Sequence, residues 1–183
     1  MKLIAWTCCL ILLLTLAAQA EIEKVAQLTD TGLCFYWWPK LPKLKGWHQD
    51  KDESFYYNAN TLAPDGSSFT KAEAIMYANA VYKPREPDIK SLDAFIAEDK
   101  KTFLAHDPRL TITEVSGLIT GDGTKLRSFT FFPQTTGNWE EASYDEEGDF
   151  YLVFVLSSRS KEGFDKTQDA YRQLVAAYKA NLQ

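Results

Sequence analysis

The two histidines are the first residues to consider, because imidazole is the side chain that most readily exchanges a proton near neutral pH. His48 is followed by three carboxylates between positions 50 and 53, so a metal or acid–base site could combine the imidazole with one of them. Their spacing fits no defined ligand pattern, and a solvated polar loop accounts for the same residues. His106 lies before an Asp-Pro pair, where a partly protonated imidazole would favour the end of a helix.

Neither histidine has a nucleophile beside it in the sequence. The serines at positions 157, 158 and 160 lack the Gly-x-Ser-x-Gly elbow of serine hydrolases. The acid-rich segment 140–149 lacks the ligand spacing of an EF-hand calcium loop, and we expect its charges to face water. The sequence therefore predicts no catalytic residue, metal or cofactor, and we expect a protein that is not an enzyme.

Aromatic residues near the N-terminus form the best candidate for a binding surface. Trp37, Trp38 and Trp47 lie within eleven residues, next to a loop rich in proline and lysine, and His48 and Tyr57 extend the set. Tryptophan and tyrosine dominate the energetic centres of protein interfaces, so these five residues are candidates for contact with a partner or a ligand. The alternative is that the aromatic side chains pack an N-terminal arm onto a sheet.

Residues 1–20 have the pattern of a secretory signal peptide. Lys2 precedes an apolar stretch, and Ala18 and Ala20 occupy the positions that signal peptidase recognises, so we expect cleavage near Ala20 and a periplasmic or secreted protein. Of the three cysteines, Cys34 alone follows this segment. We expect the exported chain to be stabilised by core packing, with Cys34 as a small buried hydrophobic residue or a reactive thiol.

The net charge of the chain disfavours two classes of partner, and its hydropathy indicates no membrane-spanning helix after the signal segment. The formal net charge is −5 at pH 7, and it becomes −6 without Lys2, which disfavours nucleic acids and anionic lipid surfaces. After the signal segment, the longest apolar run covers residues 150–156, far below the roughly 20 residues that a membrane-spanning helix needs. We therefore expect no membrane span in the exported chain.

Periodicity predicts two helices and six or seven strands around these residues. The predicted strands cover residues 53–62, 74–82, 110–119, 125–132, 139–144 and 150–157; the predicted helices begin at Ser91 and near Phe164; and 21–31 fits either a short helix or a frayed start. The run 150–156 is apolar at every position, which indicates a central strand covered on both faces. Consecutive hairpins in the second half favour an α+β fold with a largely antiparallel sheet and helices on its faces.

This order of elements resembles that of the Mog/PsbP-like α/β/α sandwich. The general character of the sequence is also similar to that of exported bacterial proteins of that kind. The similarity covers residues 53–181 and includes the segments 142–150 and 156–160. We therefore expect an arm with an aromatic and proline-rich loop at residues 21–52, followed by one sandwich domain at 53–183. Members of that superfold are mostly non-enzymatic: photosystem accessory subunits, a small-GTPase partner and periplasmic immunity proteins.

These observations give one leading functional hypothesis and two alternatives. The leading hypothesis is a non-catalytic domain that binds a protein partner in the cell envelope, in an immunity or accessory role. The first alternative is a small-ligand binding protein that uses the tryptophans as an aromatic platform. The second alternative, a hydrolytic enzyme, has the least support because no nucleophile and base are paired in the sequence.

Overall fold

A computed structural model describes residues 22–30 and 32–180, so the predicted signal segment lies outside the described residues. The elements in chain order are β1 (Ile22–Thr29), β2 (Gly32–Pro39), β3 (Trp47–Gln49), α1 (Lys51–Tyr57), β4 (Asn60–Pro64), β5 (Ala74–Tyr82), α2 (Leu92–His106), β6 (Thr111–Val115), β7 (Arg127–Phe132), β8 (Trp139–Glu147), β9 (Phe150–Ser158) and α3 (Lys161–Ala177). Within these described ranges, the helices are too short or too polar to cross a membrane.

Seven of the strands form one sheet, in the order β3-β4-β5-β9-β8-β7-β6, and every neighbouring pair is antiparallel. The apolar strand β9 lies at the centre, and its residues 151–158 are all buried. Helices pack on both faces of the sheet. The structure thus confirms the predicted α+β class, the largely antiparallel sheet and its size.

One face of the sheet, here called the α3 face, is covered by α3 together with the hairpin β1–β2. Ser160 caps α3 by accepting a hydrogen bond from the Gly163 amide at 3.1 Å, and Tyr171 and Leu174 are fully buried against β9 and its neighbours. The hairpin continues this cover, because Trp37 of β2 stacks on Tyr82 with ring centroids 5.1 Å apart. Together the two elements cover a continuous apolar core.

The opposite face, the α2 face, packs against α2. Ser91 caps this helix, as its sequence position predicts, and accepts a hydrogen bond from the Ala94 amide at 3.2 Å. Phe95 stacks on Tyr151 at 5.0 Å, and Phe103 stacks on Phe131 at 4.2 Å. These contacts form a second core that is separated from the first by the sheet itself.

The predicted strand at 53–62 is wrong, because its first half is the helix α1. The Asp50 carboxylate caps that helix by accepting from the Glu53 amide, and Asn58 ends it in the left-handed conformation at φ 50°. The alternation of aromatic and polar residues resembled a strand pattern, yet Tyr56 and Tyr57 are both exposed on α1. Strand β4 begins only at Asn60.

Two further elements differ from the predictions. Residues 22–29, which fitted a short helix or a frayed start, form β1, because all eight pair with β2. Strand β8 continues beyond Tyr144 to Glu147, and the tight turn lies at Gly148, which adopts φ 53°. The pairing of β8 with β9 extends to Glu147, and this long ladder explains why the acidic residues remain in the strand.

Candidate functional site

The part of the sheet that α2 leaves uncovered forms an open cleft of about 470 Å³, here called the sheet-face cleft. Its base is formed by β5, β8 and β9, its wall by the end of α1 and the loop after β4, and its rim by the segments that flank β5, β8 and β9. The lining includes Tyr57, Phe69, Glu73, Ile75, Tyr77, Asn79, Asn138, Glu140, Ser157 and Arg159. None of the described residues of α2 lines it.

A row of aromatic rings forms the wall of the cleft. The Tyr57 and Phe69 ring centroids lie 5.3 Å apart, and those of Phe69 and Tyr77 lie 6.2 Å apart. Asp50 fixes this row, because the carboxylate that caps α1 also accepts a hydrogen bond from the Phe69 amide at 3.0 Å. The wall is therefore held in place without a ligand, as is typical of binding sites.

A buried carboxyl group lies at the base of the cleft. Glu140 is 8% exposed, and its Oε1 accepts a hydrogen bond from the Ser157 hydroxyl at 2.5 Å. Burial raises the pKa of Glu140, and the negative charge of Asp99 on α2 raises it further. Asp99 itself accepts a hydrogen bond from the Tyr144 hydroxyl at 2.6 Å, and burial raises its pKa too. This side of the site is thus acidic and poorly solvated.

Two more polar groups face the cleft from β5. Burial and the neighbouring Glu140 raise the pKa of Tyr77, so its hydroxyl keeps its proton. The side-chain oxygen of Asn79 is buried and has no hydrogen-bond partner among the described residues. Buried polar atoms in folded proteins nearly always have a partner, so the Asn79 oxygen is an unsatisfied acceptor in the lining of the cleft.

The two charged residues at the rim, Arg159 and Glu73, form hydrogen bonds with neighbouring backbone and hydroxyl groups. Arg159, the basic side chain in the lining, donates to the carbonyl oxygen of Thr70. Glu73 Oε1 accepts from the Ser160 hydroxyl at 2.5 Å. The contact of Arg159 directs its side chain toward the loop after β4.

The structure separates the five residues that the sequence suggested for binding. Trp38 is 5% exposed and packs edge-on against Phe55 at 4.9 Å. Trp37 is half-buried on Tyr82, and the Arg85 guanidinium lies 4.3 Å from its ring centroid. Both tryptophans therefore lie where the hairpin packs on the body of the protein, and neither lines the sheet-face cleft.

Trp47 and His48 lie together on the edge strand β3, in a second groove of about 620 Å³ that also contains Lys43 and Lys45. The His48 Nδ1 atom is 3.6 Å from the carboxylate of Asp65, and both side chains are well exposed. Of the predicted residues, only Tyr57 lines the sheet-face cleft, where its ring is 49% exposed at the mouth. In the described part of the chain, no three His, Cys, Asp or Glu residues group to hold a metal ion.

Sequence reasoning missed the polar groups that form the cleft. The segment 140–149 was expected to face water, and that expectation is wrong for three of its glutamates. Glu140 and Glu141 are 8% and 5% exposed on opposite faces of β8, and Glu147 is 8% exposed and accepts a hydrogen bond from Tyr178. The available signal was position: Glu140 is the second residue of a strand that pairs with the most apolar strand of the sheet. Asn79 gave a similar signal, as a polar residue inside a run of small and apolar residues.

Comparison with known proteins shows the fold. The sequence matched no model of a protein family and no curated protein. Among solved structures, this chain is similar to PA94 from Pseudomonas aeruginosa, a protein of unknown function, with a TM-score of 0.50 and 9% sequence identity. The match covers 88% of this chain and 99% of the other. At this identity the likeness concerns the fold alone.

Proposed function

We propose that this protein is a non-catalytic binding protein and that the sheet-face cleft is its binding site for a small molecule. The observation that carries the proposal is the open cleft of about 470 Å³, with a fixed aromatic wall and the buried carboxyl group of Glu140 at its base. A cavity of this size with a few convergent polar groups is typical of small-ligand sites. The pKa shifts of Glu140 and Tyr77 support the same location, because perturbed groups concentrate at functional sites.

A binding role fits the chemistry of the cleft better than hydrolysis does. Ser157 donates its hydroxyl hydrogen to Glu140, which is the arrangement of a hydroxyl and a base, but an acyl-transfer site would also need donors that stabilise an oxyanion. His48 lines the second groove and His106 ends α2, so neither imidazole belongs to the lining of the sheet-face cleft. The signal-like segment 1–20 supports placing this binding protein in the periplasm or outside the cell.

Ligand-observed NMR with a chemically diverse fragment library tests the proposal. Thr70 is exposed at the mouth of the cleft, so Thr70→Trp should obstruct entry while leaving the carbonyl that Arg159 uses. Thr135→Trp, on the exposed loop between β7 and β8, is the matched control. We expect fragments that bind wild type and the control but not Thr70→Trp. If no fragment binds, or if Thr70→Trp retains every binder, the proposed function is wrong.

A second candidate function, protein binding, is favoured by the tip of the hairpin. Leu28 and Leu33 face each other across β1 and β2, and they are 81% and 58% exposed. An exposed apolar pair at the end of a hairpin is a feature of contact surfaces. The test is cross-linking in envelope extract: Leu28→Ser with Leu33→Ser should abolish a cross-linked product that Leu104→Ser, on exposed α2, retains. Equal products from both variants would contradict this role.

A further inference from the structure

We propose that the second groove, at the β3 edge of the sheet, binds an apolar carboxylate, a molecule with an alkyl chain that ends in a carboxylate group. This site is separate from the sheet-face cleft, because the two share none of their described lining residues. The argument depends on three properties of the groove: an apolar base, two lysines without a counter-charge at its rim, and a loop held in place by backbone hydrogen bonds.

The first property is the apolar base of the groove. Leu41, Leu44 and Trp47 are partly buried, and they pack against the core cluster that contains the buried Leu62. All four residues line the groove. Because the leucines and the tryptophan are only partly covered by the protein, a bound alkyl chain would remove further apolar surface from water, which favours binding.

The buried polar side chain in the lining already has its partners. Asn60 accepts a hydrogen bond from Gln49 Nε2 at 2.9 Å, and its own Nδ2 donates to the Pro39 carbonyl at 2.9 Å. An amide bonded at both ends requires no partner from a ligand. A polar ligand group placed beside it would lose its hydration without compensation, so the part of the ligand that enters the base is apolar.

The second property is the positive charge at the rim. Lys43 and Lys45 line the groove, are exposed, and form no ion pair among the described residues. The acidic residue of the lining, Asp65, has its carboxylate 3.6 Å from His48 Nδ1. An ammonium group donates three hydrogen bonds and accepts none, so its complement is an acceptor with negative charge. A carboxylate fits this requirement and forms charge-assisted hydrogen bonds with both lysines.

The third property is the fixed loop that carries the two lysines. The Trp47 amide donates to the Leu44 carbonyl at 3.1 Å, and the Asp65 amide donates to the Gly46 carbonyl at 2.9 Å. Gly46 adopts φ 84°, a backbone conformation that favours glycine. These bonds connect the loop to the end of β4. The groove is therefore formed before a ligand arrives, which lowers the entropic cost of binding.

The combination of an apolar base and a basic rim selects one class of ligand. A volume of about 620 Å³ is in the range of small-molecule sites. A neutral apolar molecule would leave Lys43 and Lys45 without a counter-charge, and an acidic peptide would leave Leu41 and Leu44 in contact with water. An apolar carboxylate satisfies both parts of the groove.

Isothermal titration calorimetry with a matched set of eight-carbon probes tests this inference. Octanoate is the carboxylate, 1-octanol the neutral analogue and octylammonium the cation. We expect octanoate to bind about fivefold more tightly than 1-octanol and at least about tenfold more tightly than octylammonium. Added salt should weaken octanoate relative to 1-octanol, since exposed charges are screened. Equal affinities for the three probes, or tighter binding of a tri-glutamate peptide than of octanoate, would contradict the inference.

Variants connect the binding to the groove. Lys43→Gln with Lys45→Gln should weaken octanoate by about fivefold and leave 1-octanol unchanged, because both charges are removed. Lys90→Gln with Lys125→Gln is the matched control, since both lysines are exposed and neither lines the groove. Unchanged octanoate affinity in the first pair, or an equal loss in the control, overturns the inference. Thr70→Trp should bind octanoate as wild type does; a loss there would place octanoate in the sheet-face cleft, and the proposed function would stand without this second site.

Discussion

The two faces of the central sheet handle their buried polar groups differently. On the α3 face, the Tyr171 hydroxyl donates to the Phe154 carbonyl at 2.8 Å and lies 2.9 Å from the Ser143 hydroxyl, deep in the core. On the α2 face, the Asn79 oxygen is equally inaccessible but has no partner among the described residues. The same strands thus carry a satisfied network on one face and an incomplete one on the other.

The extent to which helices and the hairpin cover each face explains this difference in buried polar groups. The α3 face is closed by a 17-residue helix and an eight-residue hairpin ladder. The hydroxyls of Tyr171, Ser143 and Ser128 there bond to one another or to the backbone, although Trp38 Nε1 in the hairpin is buried without a partner among the described residues. The α2 face has a 15-residue helix that leaves the end of β5, β8 and β9 open to the cleft. We infer that packing on the α3 face stabilises the fold. The open part of the α2 face contributes less to stability, which is consistent with the binding site proposed there.

The largest expected effect is a difference in packing between the two faces. Leu174→Ala on the α3 face removes a fully buried side chain and should cost about 3 kcal/mol of unfolding free energy. Ile75→Ala in the half-exposed lining of the cleft should cost about 1 kcal/mol, since less apolar surface is lost. Urea unfolding measures both values. Equal costs would contradict the assignment of the stabilising core to the α3 face.

The hairpin that completes the α3 face gives the next largest effect. Trp38→Ala removes a ring that is 5% exposed and should cost about 3 kcal/mol. Trp37→Ala removes a half-buried ring and should cost about 1–2 kcal/mol, because its neighbours Tyr82 and Arg85 remain solvated in part. Thermal unfolding of both variants measures how much each ring contributes to stability. No loss in either variant would mean that the hairpin contributes nothing to the fold.

Smaller effects separate a satisfied polar group from an unsatisfied one. Tyr171→Phe should destabilise by about 1–2 kcal/mol, because the Phe154 carbonyl and the Ser143 hydroxyl each lose a buried partner. Asn79→Val should be neutral or stabilising by about 0.5 kcal/mol, because it replaces an amide whose oxygen lacks a partner with a side chain that suits a strand. Chemical denaturation compares them. A clear loss in Asn79→Val would show that the amide serves the fold.

Sequence patterns were sufficient for most of the sheet and both long helices. The sequence indicated β5 by its run of small, β-branched and aromatic residues, β9 by its apolar run and the start of α2 by the Ser91 cap. The structure keeps all three of these local preferences. The region 50–62 failed because a capping carboxylate at Asp50 and a left-handed residue at Asn58 decide the backbone there. Such effects depend on single residues, and a periodicity of two cannot reveal them.

The candidate site could not be predicted in the same way, since it depends on which strands become neighbours. Glu140 and Ser157 are 17 positions apart, and Asn79 reaches the same cleft through the pairing of β5 with β9. The sequence drew attention to Trp37 and Trp38 because they are large and adjacent, yet adjacency in a strand directs them to different surroundings. The buried Glu140 carboxyl lines this site, whereas neither of the adjacent tryptophans does.

The pH dependence of stability gives the smallest and most specific test of the comparison between faces. The raised pKa of Glu140 means that the folded protein holds this proton at pH values where the unfolded chain, with an ordinary value of 4.5, has released it. Its contribution is therefore most favourable at low pH and is lost as pH rises through the raised pKa. Glu140→Gln removes that loss, so its stability advantage over wild type should grow from pH 4 to pH 8.

Burial also raises the pKa of Glu141 on the α3 face, but the positive charge of Arg172 opposes the shift. Glu141→Gln should accordingly gain less with rising pH than Glu140→Gln does. Thermal melts of both variants and wild type across that pH range measure the two gains. A larger gain in Glu141→Gln would show that the uncompensated charge lies on the α3 face, and the division between a stabilising face and a binding face would have to be reversed.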